Sequence, residues 1–386
     1  MTGETCTGGG AGAASAAGRA DRIDPDRLDL RDLPPAFYAD PFPTYAALRR
    51  ERPVLRLPTG DILLSRFADC ERVYRDPATF SSDKRAEFLP KYGDSPLYRH
   101  HTTSLVFNDP PLHLRVRKLI LGALRPKAIE KMEPGLVALV DRLIAAMAEK
   151  AEAGETVDLI ADFAAAIPVD IIGNLLGVPT GERGPLRDWS LAILGALEPR
   201  LTADQLERGN RAVTEFLAYL EGLVADRTAR PGNPETDVLT RLIQGEVDGE
   251  RLGHEELLQN CIFILNAGHE TTTNLIGNAL VLFAEHPDAR RRLIAEPALA
   301  EGAIEECLRF ESPNQLGNRI TTKPATIGDL ALEPGTRITI CIGAANRDEA
   351  VFPDPDTFDI ARSPNRHLAF AAGIHQCAGL NVARLE

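Results

Sequence analysis

The chain has 386 residues, 44% of them hydrophobic and 26% charged, the composition of an ordinary globular protein with ample core. Its 43 basic and 56 acidic side chains leave a net charge of -13, which argues against nucleic acid as the main partner. The six cysteines (Cys6, Cys70, Cys261, Cys307, Cys341 and Cys377) show no Cys-x-x-Cys pair and no zinc spacing, and no secretory signal precedes them, so reduced, cytoplasmic usage is expected.

Residues 1–25 are a Gly/Ala-rich stretch expected to be a disordered leader, with one domain over 26–386. Asp40-Pro41-Phe42-Pro43 predicts a helix to about Arg52, with proline in its first turn and basic residues near its end. Val54–Leu57 and Asp61–Leu64 flank Pro58-Thr59-Gly60 and read as a small hairpin, followed by a short helix from Arg66 to Arg75. Residues 81–107 have no clean period and read as a long functional loop. Lys84, Arg85, Lys91, Arg99, His100 and His101 in and near it suggest an anionic substrate or a solvated face.

Asn108-Asp109-Pro110-Pro111 starts a helix to about Ala123. His113 and Arg117 lie four apart on one of its faces, a pairing that suits a carboxylate or phosphate. Helices are predicted over roughly 126–152, 161–176, 185–197, 203–228 and 235–245. The segment 185–228, with Trp189, reads as a lid or as packing.

From His254 to Glu285 the pattern predicts one helix, about 48 Å long at 1.5 Å per residue and apolar all round, so that it crosses the core. At its centre stands Ala267-Gly268-His269-Glu270-Thr271-Thr272-Thr273-Asn274. A glycine, an acid and three threonines there cost helix propensity and desolvation, so a site is favoured over packing. Threonine hydroxyls can bond back one turn and bend such a helix. A zinc protease is excluded, because the second histidine it needs would fall at Thr273. No stretch is long and apolar enough for a membrane span; the nearest, around 261–283, is broken by Asn266, His269, Glu270 and Asn274.

Ala300 to Phe310 predicts a further helix, with Glu306 and Arg309 three apart. Short strands follow at Asn318–Thr321, Thr326–Ile327 and Arg337–Ile342, then an ordered meander from Ala344 to Arg366. The meander ends at Phe370-Ala371-Ala372-Gly373-Ile374-His375-Gln376-Cys377-Ala378-Gly379, with an apolar run from Leu380 to Leu385 behind it. A cysteine at the mouth of a helix is expected to have a lowered thiol pKa. A buried structural cysteine fits these ten residues equally well.

Taken in order, these segments resemble the cytochrome P-450 family of soluble bacterial haem-thiolate monooxygenases. The resemblance runs from about Asp40 to the end of the chain. Its cysteine loop, Phe-x-x-Gly-x-His/Arg-x-Cys-x-Gly, is matched by Phe370, Gly373, His375, Cys377 and Gly379. Its central-helix motif is matched by Ala267, Gly268, Glu270, Thr271 and Thr272, and its Glu-x-x-Arg by Glu306 and Arg309. The meander echoes the family at Asn346-Arg347-Asp348 and Phe352-Pro353-Asp354-Pro355.

The resemblance implies a mostly α fold with a small β-rich part and a long central helix over haem b. It implies Cys377 as the axial iron ligand, tuned by Phe370 and the loop N–H groups up to Gly379. It places His113, Arg117, Arg319 and His375 at the two haem propionates and Ala267 against the cofactor. Glu270 and Thr271 are implied to relay the two protons that dioxygen cleavage needs. The implied reaction is hydroxylation, or related oxidation, of a small organic substrate with O2 and two electrons. A separate ferredoxin or flavodoxin-type donor is implied, since no dinucleotide fingerprint or iron–sulfur spacing is present. Arg115, Lys118, Arg125, Lys127 and Arg384 are candidates for its docking face. The rival readings are a haem binder without turnover, a peroxide-driven haem enzyme and a non-haem cysteine enzyme.

Three departures stand out. Ala371 replaces a second glycine. Thr357 stands where relatives place a basic residue that joins Glu306 and Arg309, a role open to Arg362. The chain ends nine residues after Cys377, so the C-terminal end of the domain is expected to be missing.

Overall fold

The computed structural model describes residues 23–386 apart from 235, 236, 247, 248 and 250, and apart from the side chain of Lys127. The expected leader lies outside the described residues except for its last three. These are tied down, Ile23 donating its N–H to Thr44 Oγ1 at 3.1 Å.

The architecture is mostly helical with a small β-rich part, as expected. Seven strands are formed among the described residues: β1 Val54–Arg56, β2 Ile62–Leu64, β3 Phe80–Ser81, β4 Leu316–Thr321, β5 Ala325–Ile327, β6 Leu330–Leu332 and β7 Arg337–Cys341. Five make one sheet in the order β1-β2-β7-β4-β3, and β5 and β6 make a hairpin. The parallel β2–β7 pair sets Ile62 opposite Ile338 and Leu64 opposite Ile340, and all four are buried. Chain segments some 275 residues apart thus close one sheet, and long-range apolar pairing fixes the register. β3 and β6 escaped the sequence reading because two or three residues carry no detectable period.

The central helix runs His254–Glu285, with the bounds its pattern predicted. Thr271 Oγ1 donates to Ala267 O at 2.7 Å and Thr273 Oγ1 to His269 O at 2.9 Å, the expected back-bonding. Gly268 fits because a Cβ there would come within 2.7 Å of Ile172 on the helix Ala166–Leu176. That glycine serves helix packing rather than a pocket wall.

Residues 81–107 are not one loop. They form the helices Arg85–Tyr92 and Pro96–Thr103 and a 3-10 turn, Leu105–Phe107. The Ser95 hydroxyl caps the second helix, and Pro90 inside the first hides its period. The expected helix over 126–152 breaks into Pro126–Glu130 and Glu133–Glu152, the second led in by Pro134. Trp189 is packing: it stacks on Phe216 at 4.9 Å and donates to Glu215.

Separate buried clusters meet at the cysteine loop. Ala371 and Ala372 pack with the β-sheet core, and Phe370 packs with the core around the helix Ala300–Phe310. Ala378 and Val382 pack with the large helical core. The loop is therefore held from more than one side by parts of the chain far apart in sequence.

Candidate active site

The loop reverses direction through two left-handed residues, Ala371 with φ 54° and Gly373 with φ 69°. For Gly373 the reason is contact as well as dihedral: a Cβ there would lie 2.4 Å from the carbonyl oxygen of Tyr74, at the end of the helix Phe67–Arg75. Gly373→Ala is expected to cost about 2–5 kcal/mol, combining left-handed strain with overpacking. Denaturant unfolding of the variant beside the parent chain checks this, and a loss under ~1 kcal/mol would show that the loop gives way. Ala371 bears the same dihedral with a Cβ in place, at a cost of about 1–2 kcal/mol.

The Cys377 N–H donates to Phe370 O at 2.9 Å, closing the loop. The helix behind it, Leu380–Leu385, starts three residues later, with Gly379 as its cap. The Gly379 N–H favours the ionised form of the sulfur. The expected lowering of the thiol pKa does not hold in the folded chain. Burial pushes the Cys377 thiol up, and the Gly379 N–H and the Arg117 and Arg384 charges only partly offset it. A six-residue helix with the cysteine outside its cap has too weak a field to outweigh desolvation. A partly exposed thiol whose ionisation is opposed by desolvation is poorly placed as a free nucleophile and suits a metal that takes its proton.

His113, Arg117, Arg319 and His375 come together beside this loop. The His113 and His375 rings lie 4.0 Å apart. Both ring nitrogens of His113 and Nε2 of His375 are buried with no hydrogen-bond partner. Burial together with Arg117 holds His113 at about 4, against a weaker opposing pull from Asp109. Burial, Arg319, His113 and Arg117 hold His375 at about 2. Burial also lowers Arg117 and Arg319. Arg319 donates only to Asn318 O and lies 5.0 Å over the Tyr74 ring. The nearby acid, Asp109, is engaged by Ser81 Oγ and the Ser82 N–H. Two guanidinium groups and two imidazoles with idle N–H capacity thus face one another. This donor set matches a ligand bearing two carboxylates.

On the central helix, Ala267, Thr271 and Asn274 are exposed at i, i+4 and i+7, while Asn266, His269, Thr272 and Thr273 are buried. One stripe at the middle of the helix is open, and Glu270 borders it. Burial, with a smaller contribution from Glu198, pushes the Glu270 carboxyl up. An acid that can hold a proton stands next to a hydroxyl on the open stripe, which is the chemistry a proton relay needs.

The support is a buried knot. Glu306 and Arg309 are both fully buried and doubly bonded, at 2.8 and 2.7 Å. Arg362 completes the pair, its Nε 3.2 Å from Glu306 Oε1, so it takes the place that Thr357 leaves. Thr357 still takes part through its carbonyl, which accepts from both arginines. Asn346 binds Ser312 Oγ and accepts the Leu368 N–H, and Asp348 accepts the Phe67 N–H. The sequence marked the Asn346-Arg347-Asp348 triplet without its role. Asn365, on Glu306, and Tyr74, under Arg319, gave no signal because their partners are remote in sequence.

The hint of an anionic substrate is not supported. Lys84 bonds Glu87 at 2.7 Å, Arg85 bonds Asp83 and Asn108, and Arg99 bonds Asp94. Lys91 caps the carbonyls of Leu197 and Glu198, and Tyr92 that of Ala196, behind the helix Gly184–Gly195. His100 bonds Gln259 at 3.0 Å, and burial pushes it to about 4. The four lysines and arginines and His100 have partners in their own chain, while His101 is buried with its Nε2 unpartnered among the described residues and burial lowers its pKa. Of the five docking cations, Arg115 is paired with Glu256 and Arg384 with Glu305.

No group of three or more metal-ligating side chains occurs among the described residues. Nor is any described helix long and apolar enough to cross a membrane.

Comparison with known proteins adds to this picture. The family model for cytochrome P450 matches residues 196–386. Cytochrome P450 107B1 of Saccharopolyspora erythraea is 36% identical over 376 residues, 94% of this chain and 88% of that one. Vitamin D(3) 25-hydroxylase of Pseudonocardia autotrophica is 35% identical over 354 residues, 91% of this chain and 84% of that one. The crystal structure of CalO2 superposes with a TM-score of 0.85 at 29% identity, covering 95% of this chain and 88% of that one.

Proposed function

The chain belongs to the cytochrome P450 family, and on that premise we propose a residue-level account of a haem-thiolate monooxygenase acting on a small organic substrate with O2. The observation that carries the account is the junction of the Cys377 loop with the basic cradle of His113, Arg117, Arg319 and His375. The idle ring nitrogens and the guanidinium groups would hold two propionates, and the Cys377 sulfur would be the thiolate ligand. When bound, haem b supplies dioxygen activation, with the thiolate donating electron density to the iron.

The chain's own groups do the rest. Cys377 provides the thiolate, the Gly379 N–H favours its ionised form, and Phe370 shields it. Ala267 leaves room on the open stripe of the central helix. Burial pushes the Glu270 carboxyl up, which suits it to take up and give back a proton, and Thr271 passes that proton on. Electrons come from a separate ferredoxin or flavodoxin-type protein, and the chain works as a cytoplasmic enzyme.

Thr271→Ala is expected to keep the thiolate-haem spectrum but release reducing equivalents as hydrogen peroxide. Positioned proton transfer is worth about 10²–10⁴-fold, so product per NADH falls steeply while NADH is still consumed. Unchanged coupling of electrons to product in this variant would refute the relay.

Two measurements test the whole account. The reduced protein with carbon monoxide must show the red-shifted Soret band of thiolate-ligated haem. NADH-driven oxidation with a supplied ferredoxin system must then yield a monooxygenated product. The band without turnover identifies a haem binder, activity with peroxide alone identifies a peroxide-driven enzyme, and absence of the band overturns the assignment of Cys377.

A further inference from the structure

We propose that Glu305 is the positioning residue of the cysteine loop, holding Arg384 and His367 against Phe370 and thereby setting the electrostatic surroundings of Cys377. The proposal rests on the reading of Cys377 as the iron ligand.

Glu305 precedes Glu306 on the helix Ala300–Phe310, so their side chains leave the helix about 100° apart. Glu306 turns to the meander, and Glu305 turns to the loop. Both Glu305 oxygens are used by one guanidinium: Arg384 Nε reaches Oε1 at 2.7 Å and Nη2 reaches Oε2 at 3.0 Å. Such a two-point grip fixes orientation as well as charge. Glu305 Oε2 also lies 3.2 Å from His367 Nε2. The Ala369 N–H donates to His367 Nδ1 at 3.3 Å, which makes Nδ1 the acceptor and places the ring proton on Nε2, facing Glu305.

The two partners bracket the loop in sequence, His367 ten residues before Cys377 and Arg384 seven after it. Both meet one ring: the Arg384 guanidinium is 5.3 Å from the Phe370 centroid and the His367 ring 5.7 Å from it. Phe370 in turn accepts the Cys377 N–H. The Arg384 charge is thus one residue removed from the cysteine, through the ring and carbonyl of Phe370. Burial opposes ionisation of Glu305, yet the His367 and Arg384 bonds outweigh it and hold the carboxyl at about 2, so Glu305 is an anion.

A plain surface ion pair is the alternative, since Arg384 is 41% exposed. The two differ in what reaches the iron. If Glu305 tunes the loop, removing its charge leaves Arg384 uncompensated near the sulfur and favours the reduced, more electron-rich iron.

The test is spectroelectrochemical titration of the haem-loaded protein, with the carbon monoxide spectrum recorded beside it. Glu305→Gln is expected to shift the midpoint potential positive and Arg384→Gln to shift it negative. The double variant returns towards the parent value, because the pair is neutral as a whole. Glu305→Asp, which keeps the charge, is expected to retain most of the parent potential. If Glu305→Gln loses haem, Arg384→Gln still reads the same coupling with opposite sign. The proposal is overturned if the parent shows the thiolate band and neither single variant moves potential or band. A parent without the band overturns the ligand reading, and this proposal with it.

Discussion

Arg309→Met is expected to destabilise the chain by about 3–5 kcal/mol, the cost of breaking a buried pair from one side. Five hydrogen bonds leave this guanidinium: two go to Glu306 and three to the carbonyls of Asn346, Pro355 and Thr357. Methionine fills part of the volume and satisfies none of these groups. Glu306 would keep the Asp359 N–H, Arg362 and Asn365, so its charge would remain inside with half its neutralisation gone. A domain stable by about 5–15 kcal/mol cannot absorb this without a marked rise in unfolded chain. Denaturant midpoints of the haem-free proteins check it, as does the fraction that retains haem. Replacing Glu306 as well, in Glu306→Leu/Arg309→Met, is expected to recover part of the loss, since the Glu306 charge is no longer left inside; recovery is incomplete because Arg362 then keeps only its carbonyl partners. A single-variant loss below ~1 kcal/mol would falsify the view that the knot carries the loop.

Cys377→Ser is expected to abolish the red-shifted carbon monoxide band and to reduce donor-driven oxidation by more than about 100-fold. Groups that merely orient a ligand commonly cost about 10–100-fold when removed, and Cys377 is the proposed ligand itself. A serine hydroxyl is a poor donor to haem iron. The protein should still fold, because the Cys377 N–H bond to Phe370 O and the loop backbone are untouched. Circular dichroism alongside the spectra separates loss of the ligand from loss of the fold. A band of unchanged position in the variant would assign the sulfur elsewhere; the other described cysteines, Cys70, Cys261, Cys307 and Cys341, are buried.

Much of the site was legible because its parts are local. The back-bonded threonines of the central helix, the His113–Arg117 spacing and the Cys377 loop each lie within a few residues and announce their geometry by period or motif. What stayed hidden is tertiary. Arg362 could be guessed but not placed, since its distance from Glu306 depends on how the meander returns. Tyr74 is invisible because its carbonyl matters, against Gly373, and its ring matters, under Arg319. The thiol shift was misjudged for a related reason: a helix start can be read from sequence, but the burial that outweighs its field cannot. The basic run over 84–101 was misread because charge is visible in sequence and its partners are not.

The left-handed Ala371 bears on how this chain can evolve. Its methyl group imposes a cost that the folded state alone carries. Glycine would remove the strain of about 1–2 kcal/mol and give back roughly 0.4–1 through its freer unfolded chain. Proteins drift near the least stability that function tolerates, and pocket substitutions that alter specificity are mostly destabilising. A lineage that acquires glycine at 371 therefore gains room for a further pocket change that the present sequence would not survive. The backbone angle of one alanine in the cysteine loop thus helps decide which new substrates this chain can reach by single steps.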